Sequence, residues 1–326
     1  METFKHIFET HYTWIEGFMR NVRRYADRPA IIMPGKNLWT YSQMNREVNR
    51  LANALQQDGV GKGDVVMLQL LNCPEFAFCY IATQKIHAVS SPVSYRLSPG
   101  ELAKNLADTD PKVLIIDQRH EESVLEAIRL SGKQPKRLII VDGPTTSHAT
   151  SYADYVRQAS DDEPRTGVPF NIYDETTRLF TSGTTGRAKA VPLTSINEVL
   201  SAHDVMIHFP MNYRDVTMNT TPWFHRGGLH CGGPCPTFYA GATMVIMPKF
   251  DADKTLQYVS RYKISFVVGV PTVLESLADE QERQGYDLHT LRGIVTMGSP
   301  LERGACIRYQ RVLTPNFFNG AGTTET

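Results

Sequence analysis

The sequence predicts an α/β protein built on parallel sheets, and two observations indicate it. Short, almost wholly apolar runs such as "DVVMLQLL", "KVLIID" and "GIVTMG" recur along the chain. Amphipathic helix patterns of about 10–15 residues separate these runs, as in βαβ units. Strands that are apolar throughout are buried on both faces, which is typical of parallel sheets covered by helices. Because ligands bind beyond the carboxyl ends of such strands, the segments that follow strands are the functional candidates.

Capping residues predict where the helices begin and end. A helix is expected to start at Ser42 and to end before Gly59, which suits the position after a last turn. Asn72 is expected to cap a helix that Pro74 opens. Further helix starts are predicted at Ser98 with Pro99, at Ser195, and near Asp251, Pro271 and Pro300.

Composition excludes several classes of protein. The chain has 326 residues, of which 41% are hydrophobic, so it is expected to be globular and not disordered. Its 34 basic and 34 acidic residues cancel, which argues against a general nucleic-acid role. No run is long and apolar enough for a transmembrane helix. The five cysteines are odd in number and scattered, which favours the reducing cytoplasm.

A zinc site is not expected at Cys231 and Cys235, although His225 and His230 are close in sequence. The C-x3-C spacing lies in a Gly/Pro-rich run and has no second pair of ligands. The segment 143–173 is richer in Pro, Ser, Thr and Asp than the rest of the chain, and it predicts a soft connection between two lobes.

The loop "GTTGRAK" follows the predicted strand "RLFTS" directly. Gly183 and Gly186 allow a close backbone approach to a ligand, and the amides between them can form a nest for an anion. Ser182, Thr184 and Thr185 add hydroxyl donors, and Lys189 adds a positive charge. The loop therefore predicts a binding site for nucleotide phosphates. Its spacing is not that of a Walker A loop, which requires G-x4-G-K-[ST].

The loop in its context, "LFTSGTTGRAKAV", resembles the signature of the acyl-adenylate-forming (AMP-binding) superfamily. Later segments match that family's motifs in order, and they are "TPWFHRGGL", "VVGVPTVLESL", "IVTMGSPL" and "NGAGTTE". The N-terminal stretch from Leu68 to Leu102 is also similar, and the likeness runs from about Arg28 to the end. The family includes acyl-CoA synthetases, luciferases and the adenylation domains of peptide synthetases.

The resemblance implies a fold and an activity. The fold would be two flavodoxin-like parallel-sheet subdomains packed as αβαβα layers, with residues 1–326 forming the N-terminal adenylate-forming domain. The activity would be that of an acyl-CoA synthetase, an acid–thiol ligase: ATP and Mg²⁺ convert a fatty or aromatic acid to acyl-AMP and pyrophosphate, and coenzyme A accepts the acyl group. A carboxylate is ionised at pH 7, so its attack needs charge cancellation and alignment, not a general base.

The resemblance also assigns roles to residues. Thr181, Lys189, His225, Thr324 and Glu325 would be catalytic, and Glu325 would hold Mg²⁺. The nucleotide would be bound by Ser182, Gly183, Thr184, Thr185, Gly186, Gly298, Ser299, Pro300, Asn319, Gly320, Ala321, Gly322 and Thr323. The acyl group would lie against His225, Gly227, Gly228, Leu229, Val270, Pro271, Met297 and Ala321. A purely structural role for His225 stays open.

Two features distinguish this chain within the family. Ala321 stands where the family usually has an aromatic residue that stacks on adenine, so another side chain fills the gap, or nucleotide affinity is weaker, or the acyl pocket is larger. Ala188 and Ala190 are smaller departures in the loop. The segment "WFHRGG" contains no acid to pair with an ammonium group, which favours a plain carboxylic acid over an α-amino acid.

Family members continue well beyond the motif at Glu325. The resemblance therefore predicts a truncated N-terminal portion that lacks most of a small β-barrel and the C-terminal domain, and that has weak activity or none. Two alternatives stay open: an acid–AMP ligase that delivers the acyl group to a carrier-protein thiol, and a non-catalytic nucleotide- or acyl-binding module.

Overall fold

The structure is a computed structural model that describes residues 3–181 and 188–325. The helices are α1 (Phe4–His11), α2 (Trp14–Arg24), α3 (Tyr41–Gln57), α4 (Pro74–Lys85), α5 (Pro99–Thr109), α6 (Glu121–Ser131), α7 (Tyr152–Val156), α8 (Ser195–His208), α9 (Arg226–His230), α10 (Pro234–Ala240), α11 (Ala252–Tyr262), α12 (Pro271–Gln284) and α13 (Arg303–Val312), with a 3₁₀ turn at Gln118–His120. The strands are β1 (Pro29–Ile32), β2 (Leu38–Thr40), β3 (Val65–Gln69), β4 (Val89–Pro92), β5 (Val113–Asp117), β6 (Arg137–Val141), β7 (Thr150–Ser151), β8 (Glu175–Thr181), β9 (Lys189–Thr194), β10 (Val216–Asn219), β11 (Thr243–Val245), β12 (Phe266–Val268), β13 (Gly293–Thr296) and β14 (Phe317–Asn319).

The described residues fall into two compact units. The first contains residues 3–17, 43–197 without the undescribed 182–187, and Glu325. The second contains residues 18–42 and 198–324. The segment 143–173, predicted as the connection between lobes, lies inside the first unit. The chain instead passes between the units at 17/18, 42/43, 197/198 and 324/325.

Each unit is built on one seven-stranded sheet. In the first unit the order is β7-β6-β5-β3-β4-β8-β9, and only the edge strand β9 runs antiparallel to its neighbour. In the second unit the order is β14-β13-β12-β10-β11-β1-β2, and only the edge strand β2 is antiparallel. The predicted α/β class with parallel sheets is confirmed, as two mixed but mainly parallel subdomains.

Each sheet has its own apolar core. In the first unit, residues of β3, β5 and β6 pack on α5 and α6 through Met67, Leu106, Leu114, Val124 and Ile140. In the second unit, β12 and β13 pack on α11 and α12, and Leu256, Val267, Leu274 and Ile294 are almost fully buried there. The strands are buried on both faces, as their unbroken apolar runs predict.

Several predicted boundaries are confirmed, and two are wrong. Gly59 follows α3 with a φ of +78°, which favours glycine. The N-cap of α4 is Cys73 and not Asn72, because Pro74 opens the helix and restricts the residue before it to an extended conformation. The helix expected near Pro300 begins at Arg303, after an extended Glu302.

The segment 143–173 is attached to the first unit by side chains of α3. Asn49 Nδ2 donates to the Asp161 carbonyl at 2.9 Å, and Gln56 Nε2 donates to the Arg165 carbonyl at 2.9 Å. Asn53 Nδ2 donates to the carbonyls of Ser160 and Asp162 at 2.8 and 2.9 Å. These bonds satisfy the polar backbone of an irregular segment, which explains why it does not separate the units.

Lys85 is a buried cation in the same region. Its Nζ donates to Asn45 Oδ1 at 2.7 Å and Asn49 Oδ1 at 2.8 Å, and it forms an ion pair with Glu163. Burial lowers the pKa of Lys85, and the opposing carboxylate of Glu163 limits this effect. The lysine therefore joins α4, α3 and the 157–165 segment through one buried group.

Replacing Lys85 with methionine is expected to lower the free energy of unfolding by about 2–4 kcal/mol, since two buried amide oxygens would lose their donor. Urea unfolding followed by far-UV circular dichroism would measure this. Lys62→Met is the control, because Lys62 is partly exposed in its ion pair with Asp174. Equal unfolding midpoints for the two variants would contradict a special role for Lys85.

Candidate active site

The predicted phosphate loop joins two antiparallel strands. Thr181, the last residue of β8, is paired in register with Lys189, the first residue of β9. Thr181 is half-buried and Lys189 is exposed. The predicted residues Ser182, Gly183, Thr184, Thr185 and Gly186 lie outside the described part of the chain. The strand pairing places Thr181 and Lys189 opposite each other at the carboxyl end of β8.

The acyl segment, residues 225–230, consists of His225 and the short helix α9. His225 is the N-cap of α9, is exposed, and has its ring centroid 4.1 Å from that of Phe224. Leu229, within α9, is fully buried. The helix therefore has a buried face and leaves the imidazole of His225 accessible.

Two glycines of α9 lie close to other parts of the chain, one beside a side chain and the other beside main chain. A Cβ at Gly227 would lie 3.0 Å from Sδ of Met297, so the predicted acyl residues Gly227 and Met297 are in contact. A Cβ at Gly228 would lie 1.9 Å from the carbonyl oxygen of Pro222. The first position borders a flexible side chain, whereas the second borders rigid main chain.

Asn219, at the carboxyl end of β10, holds α9 in place and is a residue that sequence reasoning missed. Its Nδ2 donates to the carbonyl of Gly228 at 3.0 Å, and its Oδ1 accepts from the amide of Thr221 at 2.8 Å. It is almost fully buried. The sequence signal was a polar residue at the end of the short run "VTMN". This run was not predicted as a strand.

The predicted nucleotide segments, residues 298–300 and 319–323, lie near the acyl segment, and Met297 is between them. A Cβ at Gly320 would lie 3.8 Å from Cε of Met297 and 3.8 Å from Cζ of Phe209, and the Gly320 amide donates to the carbonyl of Thr296 at 2.9 Å. Gly298 has a φ of +92°, and Val270 Cγ1 lies 3.7 Å from where its Cβ would be. Within the second unit, Met297 thus lies beside both predicted segments.

The other predicted residues lie around these segments. Val270 and Pro271 are half-buried at the start of α12. Thr324 is half-buried in a turn after β14, next to an exposed Glu325. The remaining predicted nucleotide residues are exposed, namely Ser299, Pro300, Asn319, Ala321, Gly322 and Thr323. The structure therefore brings together Gly227, Met297, Gly298, Val270 and Gly320, buries Gly228 and Leu229 inside the second unit, and leaves most of the others exposed or half-buried in their own unit.

Glu198 and His230 form a buried polar pair beside α9. His230 Nε2 lies 2.7 Å from Glu198 Oε2, and both side chains are at most 1% exposed. Burial lowers the pKa of His230, against the opposing effect of the Glu198 carboxylate, so the ring is neutral at pH 7 and donates its Nε2 proton. The Cys235 thiol donates to the Glu198 carbonyl at 3.4 Å.

Thr324 and Glu325 offer the kinds of group that a nucleotide phosphate and a magnesium ion require. A Cβ at Gly298 or Gly320 would meet its nearest atoms at 3.7–4.0 Å, which is ordinary contact distance, and Gly298 lies exposed at the surface of the second unit. Glu325 is an exposed carboxylate, and Mg²⁺ is held in such sites by one or two carboxylates together with substrate phosphates. Thr324 adds a hydroxyl donor next to it.

The model of the AMP-binding enzyme family matches residues 18–326. The chain belongs to this family. The predicted resemblance is confirmed, and the two sheets are those of the family's N-terminal domain fold. In residues 3–181 and 188–325, no helix combines the length and apolarity that crossing a membrane requires.

Curated family members similar to the chain are CoA ligases. The feruloyl-CoA synthase of an Amycolatopsis species is 31% identical over 304 residues, which are 93% of this chain and 57% of that protein. A crotonobetaine/carnitine–CoA ligase of Escherichia coli is 28% identical over 314 residues, 93% of this chain and 59% of that ligase. The chain thus spans less than two thirds of the length of either relative.

Solved structures of the AMP-binding family share the fold. The anthranilate CoA ligase AuaEII, in complex with anthranoyl-AMP, superposes with a TM-score of 0.90 at 23% identity, over 97% of this chain and 61% of that one. At this identity the likeness supports the fold. The roles of individual site residues stay predictions.

Gly228→Ala is expected to destabilise the protein by about 3 kcal/mol, because its Cβ would collide with main chain that cannot move aside. Gly227→Ala is the matched control and should cost about 1 kcal/mol or less, since the thioether of Met297 can shift. Thermal unfolding of both purified variants measures the difference. A stable Gly228→Ala protein would contradict the close approach.

His230→Gln is expected to reduce the acid sensitivity of the protein. His230 is neutral in the native state. In the unfolded state it takes up a proton as the pH falls through the ordinary histidine pKa of 6.5. The stability that His230 contributes is therefore present above this pH and is lost as pH falls below it. The charged groups that face the ring are Glu198 and Arg226.

Urea unfolding at pH 7 and pH 5 would measure this prediction. The advantage of wild type over His230→Gln should shrink at the lower pH. The exposed His148→Gln variant should follow wild type at both values. A difference between wild type and His230→Gln that does not change with pH would count against the prediction.

Proposed function

We propose that the complete protein is an acyl-CoA synthetase, which activates a carboxylic acid with ATP and transfers the acyl group to coenzyme A. The observation that carries the proposal is the position of Met297, which lies beside both Gly227 of the acyl segment and Gly320 of the nucleotide segment. An acid and a nucleotide bound to these segments would lie on either side of one side chain. Residues 1–326 would be the N-terminal adenylate-forming domain of that enzyme.

The proposed reaction has two steps, with ATP as a substrate. In the first, a carboxylate oxygen bonds to the α-phosphorus, and the bond to the leaving pyrophosphate breaks. In the second, the thiol sulfur bonds to the acyl carbon, AMP leaves, and the thiol proton is released to solvent. In both steps negative charge shifts onto the oxygen atoms of the leaving group, so fixed donors and cations are what the protein has to supply.

The proposed roles follow from the chemistry of each side chain. Lys189 and the hydroxyl of Thr181 would bind the phosphates that leave, together with the loop residues 182–186. Thr324 would donate to the α-phosphate, and Glu325 would hold the Mg²⁺ that neutralises phosphate charge. His225, exposed at the N-cap of α9, would face the carboxylate of the acid. The aromatic surface beside Gly320 comes from Phe209, which supports it as the side chain that fills the gap left by Ala321.

The proposed substrate is a plain aliphatic or aromatic acid. An α-amino acid would bring an ammonium group that needs a carboxylate partner, because an unpaired buried charge is costly. Glu198 lies beside α9, but it is fully buried and bonded to His230. The name of the feruloyl-CoA synthase refers to an aromatic acid, which supports the aromatic class.

The proposed acceptor is the thiol of coenzyme A, and the thiol of a carrier protein is the alternative. The proposed location is the cytoplasm, which the five free cysteines of the described residues support. A thiol panel separates the two acceptors, since only one of them would consume the activated acid.

A panel of aromatic and aliphatic acids, assayed for pyrophosphate release by the full-length protein, tests the proposal. We expect release with at least one acid that depends on ATP, Mg²⁺ and the acid together. Acyl-AMP that accumulates with coenzyme A but disappears with a carrier-protein thiol would favour the alternative. Release with no acid in the panel, combined with no nucleotide binding in calorimetry, would refute the ligase proposal and favour a structural module.

In the same assay, Lys189→Ala and Glu325→Ala are each expected to lower the adenylation rate about 100-fold or more, as removal of a preorganised charge partner does elsewhere. Their stability should change little, because both residues are exposed. Lys104→Ala and Glu122→Ala remove exposed charges from α5 and α6 and should keep the wild-type rate. Equal rates in all four variants would contradict the assigned roles.

A further inference from the structure

The helix α9 depends on side chains from other elements. It has five residues, and two of them are glycine, so it has little stability of its own. It nevertheless carries Gly227, Gly228 and Leu229, three of the residues predicted to contact the acyl group. Whatever holds α9 therefore determines the shape of the acyl segment.

Two side chains of α9 are bonded to one face of α8. At its first residue, Arg226 Nη2 donates to Ser201 Oγ at 2.8 Å. At its last residue, His230 Nε2 donates to Glu198 Oε2 at 2.7 Å. Because Glu198 and Ser201 are three residues apart, they lie on the same side of α8. The two ends of α9 are thus attached side by side to a single longer helix, which fixes both its place and its rotation.

The two attachments differ in their surroundings. The Arg226 contact is only partly buried, whereas Glu198 and His230 are at most 1% exposed. A hydrogen bond is electrostatically stronger in such a place than in water, and removal of one partner leaves the other buried without it. The Glu198–His230 bond is therefore the stronger constraint on α9.

The nucleotide segments are held by other bonds. Gly320 is fixed by its amide bond to the Thr296 carbonyl, and β13 and β14 are paired through Ile294, Val295 and Thr296. None of these bonds involves α9. A shift of α9 would move Gly227 relative to Met297 and leave the pairing around Gly320 in place.

We propose that Glu198 and His230 are positioning residues that fix α9, and that they set the affinity for the acid and not for the nucleotide. The inference rests on the proposed function where it concerns the acid. The part that concerns α9 itself can be tested without any substrate.

The experiment combines hydrogen exchange with kinetics on the full-length protein. In His230→Leu, the amides of Leu229 and Cys231, which bond to the carbonyls of His225 and Gly227, should exchange about tenfold faster, as loss of a bond to a charged group predicts. The Michaelis constant for the acid should rise about tenfold, while that for ATP changes less than about twofold. His230→Gln should restore much of both, because its Nε2 can still donate to Glu198.

His203→Leu is the matched control. His203 also lies on α8, but its Nε2 is 3.2 Å from the hydroxyl of Tyr239 on α10, so its loss should not change exchange in α9. If His230→Leu does not fold, Glu198→Gln decides the question: it keeps an acceptor for His230 Nε2 but removes the charge, so a smaller increase in exchange, confined to α9, is expected.

Three results would overturn the proposal. The first is unchanged exchange of α9 in His230→Leu and Glu198→Gln. The second is an equal rise of the Michaelis constants for acid and ATP. The third is the presence of a bound metal ion, since ligand atoms of Glu198, His230 and Cys235 lie within 4.8 Å of one another. If wild type retains one equivalent of Zn²⁺ and His230→Leu does not, these residues are metal ligands and not a positioning pair. A full-length protein that turns over no acid would refute the ligase proposal, while the exchange data would still decide the role of the pair.

Discussion

The close approach of main chain to main chain around α9 is the constraint on which the candidate acyl site depends. A Cβ at Gly228 would lie 1.9 Å from the Pro222 oxygen, and one at Gly233 would lie 1.8 Å from the Gly228 oxygen. Only glycine fits such positions. The same carbonyl of Gly228 accepts a bond from Asn219, and in this arrangement Gly227 lies against Met297.

The sheet of the second unit explains why residues distant in sequence meet there. The strands β10, β12, β13 and β14 are parallel neighbours, and their last residues are paired in register, as in Asn219 with Val268 and Thr296 with Asn319. The segments that follow these strands therefore leave the sheet at one edge. Asn219, Met297 and Gly320 all stand at or just beyond those strand ends. The sheet decides that these segments are neighbours, and the glycines decide how closely they approach.

Much of this arrangement could be predicted from the sequence, because its signals are local. The strands β3, β5 and β13 are unbroken apolar runs, and α8 begins at the predicted Ser195. The family motifs gave the glycines of α9 and the segment after β13 for the same reason, since each motif is contiguous. The edge strand β9 was missed, because it contains Pro192, which ordinarily argues against a strand and is tolerated only at an edge.

What the sequence could not predict are contacts between distant residues. Glu198 and His230 are 32 positions apart, and neither lies in a spacing that marks a pair. Asn219 ends a four-residue strand that has too few residues for a clear period. The cap of α4 was misplaced for a different reason, since Pro74 restricts only the residue directly before it and so selects Cys73 over the better capping side chain of Asn72.

The glycines of α9 weaken this helix, and the buried bond between Glu198 and His230 holds its orientation. Each glycine inside a helix costs about 1 kcal/mol of helix stability relative to alanine, and α9 needs both Gly227 and Gly228 for its close contacts. An apolar pair in place of Glu198 and His230 would pack as well and avoid the cost of desolvating polar groups. It would not fix an angle, however, because apolar contacts have no preferred direction. A hydrogen bond does have one, and a five-residue helix weakened by two glycines requires an external bond of fixed direction to keep a single orientation.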